Sequence, residues 1–166
     1  MYVFYCENTG TGECVLSPDE SFHCVRVLRL GKGDPVRLID GAGGIFEAKI
    51  TLDDPGNCRV TITRSVRIPL SRDFRLHMAI APTKSADRFE WFVEKAVEIG
   101  VDAITPLLCQ RSERRILKTD RLQKLILATM KQAVVPYRPV LHELTGYRNF
   151  LGSLPATSAN RFIAHC

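Results

Sequence analysis

The chain has 166 residues, enough for one sizeable core or two small ones, with ordinary globular proportions of 45% hydrophobic and 25% charged residues. No run approaches the roughly 18 apolar residues of a membrane-spanning helix, which excludes that class. The net charge of +5 is compatible with nucleic acid or an anionic membrane surface and selects neither by itself.

The N-terminus, Met1-Tyr2-Val3-Phe4-Tyr5, has no basic region followed by an apolar core, so a secretory signal is not expected and the cytoplasm is the expected compartment. Residues 1 to 68 read as β. Short apolar runs are broken by turn signals at Asn8-Thr9-Gly10, Gly31-Lys32-Gly33-Asp34, Asp40-Gly41 and Asp53-Asp54-Pro55-Gly56-Asn57. One or two helical turns are expected within Pro18–Leu30. Val36–Ile39 and Ile45–Ile50 make a hairpin around Asp40-Gly41, a pair suited to a turn with positive φ. Arg59–Thr63 alternates as a half-buried strand does. Strands at this spacing suggest a small barrel.

A boundary is expected near Ser65–Arg72, dividing a front unit, 1–68, from a second, 73–166. Leu76–Ala81 reads as a strand. Residues 86–99 read as a helix burying Phe89, Phe92, Val93, Ala96 and Val97, stopped by Gly100. Val101–Leu108 is a second strand. Thr119 or Asp120 is expected to cap a helix burying Leu122, Leu125, Ile126, Thr129 and Met130. Pro139–Leu144 and Arg161–Ala164 read as further strands. Strand–helix alternation predicts parallel β-α units, so the fold class is α/β, α+β overall once the barrel is counted.

The basic charge is concentrated. Residues 59–75 hold five arginines against Asp73, and residues 111–124 hold six basic residues against Glu113 and Asp120. Arginine pairs bidentately with phosphate, so two such stretches point toward RNA or DNA. His23, Arg26 and Arg29 are spaced to share one helical face, either as a phosphate-contacting edge or as an exposed basic turn. The segment Gln110-Arg111-Ser112-Glu113-Arg114-Arg115 directly follows a strand, and parallel sheets bind ligands beyond their carboxyl ends, so an anionic ligand is expected there.

Several motifs carry no chemistry. Glu94 and Glu98, beside Lys95, read as a solvated helix face rather than paired carboxylates. Gly41-Ala42-Gly43-Gly44 precedes a strand and reads as hairpin punctuation rather than a phosphate loop. The histidines and the six cysteines form no metal template, so no metal is expected. The cysteines read as buried free thiols.

These residues resemble the RsmE family, the 16S ribosomal RNA uridine-N3 methyltransferases of the SPOUT (trefoil-knot) class. In the front unit the resemblance rests on His23-Cys24-Val25-Arg26-Val27-Leu28-Arg29, Gly33-Asp34 and Asp40-Gly41-Ala42-Gly43. Behind it rests on Lys84, Asp87-Arg88-Phe89-Glu90-Trp91, Glu94–Val101, Pro106, Arg111-Ser112, Gln132, Pro139 and Phe162-Ile163-Ala164-His165. It implies a PUA-like RNA-binding barrel followed by a SPOUT-type α/β domain. It further implies S-adenosylmethionine (SAM) as methyl donor, 16S rRNA or the small ribosomal subunit as partner, and a homodimer. The RNA-binding candidates are Arg26, Arg29, Lys84, Arg88, Arg111, Ser112, Arg114, Arg115 and Gln132. No catalytic base is assigned.

The chain also departs from that pattern. Gln132 precedes Ala133-Val134-Val135 where the family tends to have Ser-x-Arg. The family's Gly-Pro-Glu-Gly-Gly and Leu-Gly-x-x-Ile-Leu-Arg segments, which form the knot and hold SAM, are absent from the 166 residues. The chain is therefore expected to carry the RNA-facing part of such an enzyme, without the knot, without cofactor-binding residues and without activity alone. The alternative expectation is a non-catalytic module that binds structured RNA.

Overall fold

The computed structural model describes residues 1–10, 12–70, 72–155 and 160–164. Five strands form a curled sheet: β1 (Val3–Tyr5), β2 (Glu13–Val15), β3 (Pro35–Ile39), β4 (Gly44–Leu52) and β5 (Arg59–Arg67). Their order is β1-β3-β4-β5-β2, antiparallel except for β1 against β3. The expected hairpin forms, with Ile39 opposite Ile45 and Val36 opposite Ala48. Alternation along β3 and β4 sends Val36, Leu38, Phe46, Ala48 and Ile50 into one core with Phe4, Leu16 and Val60.

The expected helical turns lie at α1 (Pro18–Phe22), where the Ser17 hydroxyl accepts the Glu20 N–H at 3.3 Å. A single π-turn, His23–Val27, follows, and the Leu28 N–H reaches back to the His23 carbonyl. Arg29 falls beyond this turn with φ of 57°, so His23, Arg26 and Arg29 do not share a helical face. The expectation of uniformly free thiols also fails. Cys6 and Cys14 are joined in a disulfide, while Cys24, Cys58 and Cys109 are free. The two cysteines sit at the two edges of the curled sheet, beside β1 and in β2, and no side-chain spacing signals their meeting.

The second layer has strands β6 (His77–Ile80), β7 (Ala103–Leu108), β8 (Val140–Leu141) and β9 (Thr145–Gly146). Each pairing is parallel. β7 lies centrally, with β6 on one side and β8 then β9 on the other. The strand expected at Pro139–Leu144 is thus two short pieces broken at residues 142–144. Helices α2 (Ala86–Glu98) and α3 (Thr119–Ala133) cover one face. Their spacing delivers Phe89, Val93, Ala96, Val97, Leu122, Ile126 and Met130 to a common core with Ile104. Truncating Val93, Ile104 or Ile126, none of which is solvent-exposed, would cost about 1–4 kcal/mol each.

Gly100 ends α2 with φ of 83°, as its position past the last apolar residue implies. α3 differs from expectation: Lys118 is the N-cap, and it supplies no side-chain bond. Thr119 and Asp120 lie in the first turn, where Asp120 still suits the helix dipole. A short helix, α4 (Tyr147–Ser153), has no counterpart in the sequence reading. Residues 161–164 form no strand, and Phe162 and Ile163 are exposed; His165 lies outside the described residues.

The two layers share a core. Ile39 from β3 packs with the α2–α3 cluster, and Val3, Tyr5 and Ile45 join it. Arg138 fixes the seam: its guanidinium donates to Gln123 Oε1 at 2.9 Å and to Tyr5 Oη and Glu7 Oε1 at 3.3 Å. Lys131 pairs with Glu20 at 2.5 Å, tying the end of α3 to α1. The connection 72–76 is pinned as well. Arg72 donates to Asp102 Oδ2 at 2.7 Å and to the Gly100 carbonyl, while Asp102 also accepts the Leu76 N–H at 2.6 Å.

On the sheet face opposite α2 and α3, His77 Nε2 lies 2.7 Å from Thr105 Oγ1. Its ring meets His142 at 5.4 Å and the edge of Phe150 at 5.7 Å. Partial burial, reinforced by His142, holds His77 below its ordinary value of 6.5. The unfolded chain therefore takes up this proton first. Stability is expected to decline as pH falls below about 6.5, and His77→Gln is expected to flatten that decline. Thermal midpoints across pH 5–8 check this; an unchanged slope in the variant would refute it.

Candidate nucleic-acid interface

The carboxyl ends of β6 and β7 open onto two loops, residues 81–85 and 109–118. The second loop is folded tightly at its start. Ser112 Oγ accepts the Cys109 N–H at 2.9 Å, and the Ser112 N–H donates to the Cys109 carbonyl at 3.1 Å. The loops are then latched together. Arg114 donates to the Lys84 carbonyl at 2.8 Å and the Thr83 carbonyl at 3.3 Å, and Lys84 Nζ lies 3.1 Å from Glu113. A cleft of about 390 Å³ lies along this seam, lined by Lys84, Glu113, Arg114, Arg115 and Ile116. Arg121 pairs with Glu90 at 2.8 Å, so the first turns of α2 and α3 stand side by side next to the loops.

The candidate residues thus separate by whether their side chains have partners. Arg111 and Arg115 are exposed, and no partner for either guanidinium is found among the described residues. Arg88, in the first turn of α2, is exposed in the same way, one turn from Trp91, which is 63% exposed. These cations have their hydrogen-bonding capacity available for an anionic ligand. Arg114 faces inward onto backbone carbonyls, Ser112 braces the loop, and Lys84 is engaged by Glu113. These three make contacts within the loop or across to residues 83–84.

Gln132 stands apart. It is exposed at the far end of α3, about 20 Å along the helix axis from Thr119. Arg26 and Arg29 are exposed on the curled-sheet layer, Arg26 within the π-turn and Arg29 just beyond it. Lys95 Nζ binds both Glu94 and Glu98, at 3.0 and 2.8 Å, which makes that helix face a solvated ion-pair network.

Sequence reasoning missed a larger cleft beside the loop. Its volume is about 830 Å³, and it lies beyond the ends of β7 and β9, lined by Leu108, Gln110, Gly146, Tyr147, Arg148 and Asn149. It occupies the crevice where parallel sheets bind ligands. Residues 146–149 carry no motif that would mark them. Tyr137 and Arg138 were missed too. An aromatic and an arginine bracketed by Pro136 and Pro139 could have signalled a fixed docking segment.

Residues 71–166 match the family model for the RNA methyltransferase domain. The chain belongs to this RNA methyltransferase family. Residues 16–63 match the RNA methyltransferase PUA domain, in agreement with the curled sheet. A ribosomal RNA small subunit methyltransferase E from Rickettsia conorii is 26% identical over 137 residues, covering 82% of this chain and 55% of that protein. A protein of the same name from Synechocystis is 31% identical over 121 residues, covering 69% of this chain and 37% of its own length. The chain therefore spans about half, or less, of these relatives. A probable rRNA methyltransferase from Porphyromonas gingivalis superposes with a TM-score of 0.82 at 35% identity, over 93% of this chain and 65% of that one. The SAM-bound enzyme E from Neisseria gonorrhoeae also gives 0.82, at 24% identity, over 94% of this chain and 66% of that one; it shows the shared fold. The family's mixed α/β architecture, a curled sheet beside a parallel one, is the architecture found here.

Proposed function

We propose that this chain is the RNA-recognition part of a SAM-dependent methyltransferase acting on N3 of a uridine in 16S rRNA. The complete enzyme would be a homodimer at work in the cytoplasm. The observation that carries this reading is the latched basic loop. In a chain of an RNA methyltransferase family, Arg111 and Arg115 stand uncommitted at the carboxyl edge of the parallel sheet, on a loop tied by the Arg114 and Ser112 hydrogen bonds and the exposed Lys84–Glu113 pair. Pre-set cations bind phosphate without the cost of ordering them on contact. A cation beside the target base would also favour the anion left when the uridine N3 proton departs.

On this reading SAM is held by residues other than those that line the large cleft. The large cleft has one glycine, Gly146, and a Cβ added there would meet only Asn149 Nδ2, at 3.9 Å. No backbone cradle requires glycine at that cleft. The chemistry of these residues is then to bind and orient RNA.

Two measurements test the proposal. The chain should bind a 16S rRNA fragment with log K falling linearly in log salt. Calorimetry of the 166-residue chain with SAM should give no saturable heat. Absence of salt-sensitive RNA binding would overturn the RNA reading; tight SAM binding would overturn the division of labour.

A further inference from the structure

In the curled sheet, β1 and β2 are the two edges, since the strand order is β1-β3-β4-β5-β2. β1 bonds to β3 and β2 bonds to β5, and among the described residues no backbone hydrogen bond joins β1 to β2. The Cys6–Cys14 disulfide spans this seam, eight residues apart in sequence. Cys6 prolongs β1, its N–H donating to the Ile39 carbonyl at 3.0 Å. Cys14 is the middle residue of β2, opposite Val60. Both belong to the core that holds Phe4, Leu16, Val36 and Val60. Open strand edges are the weak points of a sheet, and this bond is placed where the ladder offers nothing.

We propose that Cys6 and Cys14 form a reversible thiol–disulfide site that closes the seam of the curled sheet, with a small-molecule disulfide of the glutathione class as oxidant. One cysteine thiolate attacks a sulfur of the oxidant, breaking its S–S bond and releasing one thiol. The second thiolate then attacks the mixed disulfide, forming the Cys6–Cys14 bond and releasing the second thiol. Two electrons pass from the protein to the oxidant, and the two cysteine protons leave with the released thiols.

A competing pair lies in the same core. Cys24 and Cys58 have their sulfurs 4.0 Å apart, and both are fully buried. Burial pushes the Cys24 thiol up to about 12 and also raises Cys58, so neither readily supplies the attacking thiolate. By contrast, the chain joining Cys6 to Cys14 is exposed at Glu7, Asn8, Gly10 and Gly12, which gives the oxidant an approach when the seam parts. The proposal stands independently of the RNA reading above.

The test equilibrates the 166-residue chain at several ratios of oxidised to reduced glutathione. The protein is then denatured in N-ethylmaleimide and its labels are counted by intact mass. The chain has six cysteines. The reduced form should take up one label on each, and the oxidised form two fewer, with peptide mapping placing the unlabelled pair at Cys6 and Cys14. The oxidised form should melt about 5–10 °C above the reduced one. The Cys6→Ala/Cys14→Ala variant should have one and the same melting temperature under both conditions. Full labelling at every ratio would overturn the proposal, as would protection mapped to Cys24 and Cys58.

Discussion

Replacing Arg111 and Arg115 together by alanine is expected to weaken binding to a 16S rRNA fragment by about 2–3 kcal/mol, roughly 30- to 150-fold. Both guanidiniums are exposed and uncommitted, so the loss should come from missing phosphate contacts and not from a damaged fold. Two observables separate these causes. The slope of log K against log salt should fall in magnitude by about 1.4–1.8 for two lost contacts, and the melting temperature should stay within a degree or two. Arg114→Ala should behave differently. It removes the donor that holds the Thr83 and Lys84 carbonyls, so it should loosen the loop and raise its hydrogen exchange, with a smaller change in salt slope. If Arg114→Ala reduces the salt slope as the double variant does, the assignment of roles around this loop is wrong.

The second large effect is structural. Gly43→Ala is expected to destabilise the chain by about 2–4 kcal/mol, lowering its melting temperature by about 5–15 °C. Gly43 has φ of 96°, which a side chain adopts only with strain. A Cβ there would also lie inside van der Waals contact of the Tyr137 ring, which caps the hairpin tip and donates from its hydroxyl to the Ile68 carbonyl at 2.7 Å. The backbone runs close at this point. The Gly43 N–H donates to the Pro136 carbonyl and the Arg138 N–H to the Gly41 carbonyl, both at 2.9 Å. Combining Gly43→Ala with Tyr137→Ala should cost less than the sum of the two, because the second change removes part of the clash. Gly152→Ala, in open space on α4, should fall within about 0.5 kcal/mol of the parent. Strict additivity at positions 43 and 137 would show that the docking described here contributes no steric constraint.

The expected elements that formed share one property: their signal is local. The hairpin around Asp40-Gly41, the α2 stripe from Phe89 to Val97, its stop at Gly100 and the α3 stripe from Leu122 to Met130 all follow from side-chain period and turn chemistry within a few residues. The elements that failed depend on neighbours. Residues 161–164 have a strand's composition, but a strand exists only when another strand pairs with it, and none does among the described residues. β8 and β9 are split because their register is set by β7 and not by their own residues. The three-residue spacing of His23, Arg26 and Arg29 would align them only in a continuing α-helix, and the π-turn interrupts it.

The same division runs through the candidate site. Composition and order along the chain suffice to mark a basic loop after a strand, because both strand and charge are written in consecutive residues. They cannot say which arginines in that loop are available. Arg114 is spent on carbonyls about thirty residues away, whereas Arg111 and Arg115 are not, and only the approach of residues 83–84 decides this. Gln132, one of the same set on resemblance, is carried to the far end of α3 because a helix rises about 1.5 Å per residue. Gly41-Ala42-Gly43-Gly44 reads in the sequence as a turn, and it is one. Its further work, admitting Tyr137 against the backbone so that the two layers share a core, depends on a segment nearly a hundred residues later. The Cys6–Cys14 bond is of the same kind: it exists because the curl of the sheet brings its two edges together. The sequence by itself determined the helix faces, the hairpin, the sign and place of the charge, and the family resemblance. Tertiary structure alone decided which cations face solvent, which glycine is indispensable and which cysteines meet, because each of these is a distance between residues far apart in the chain.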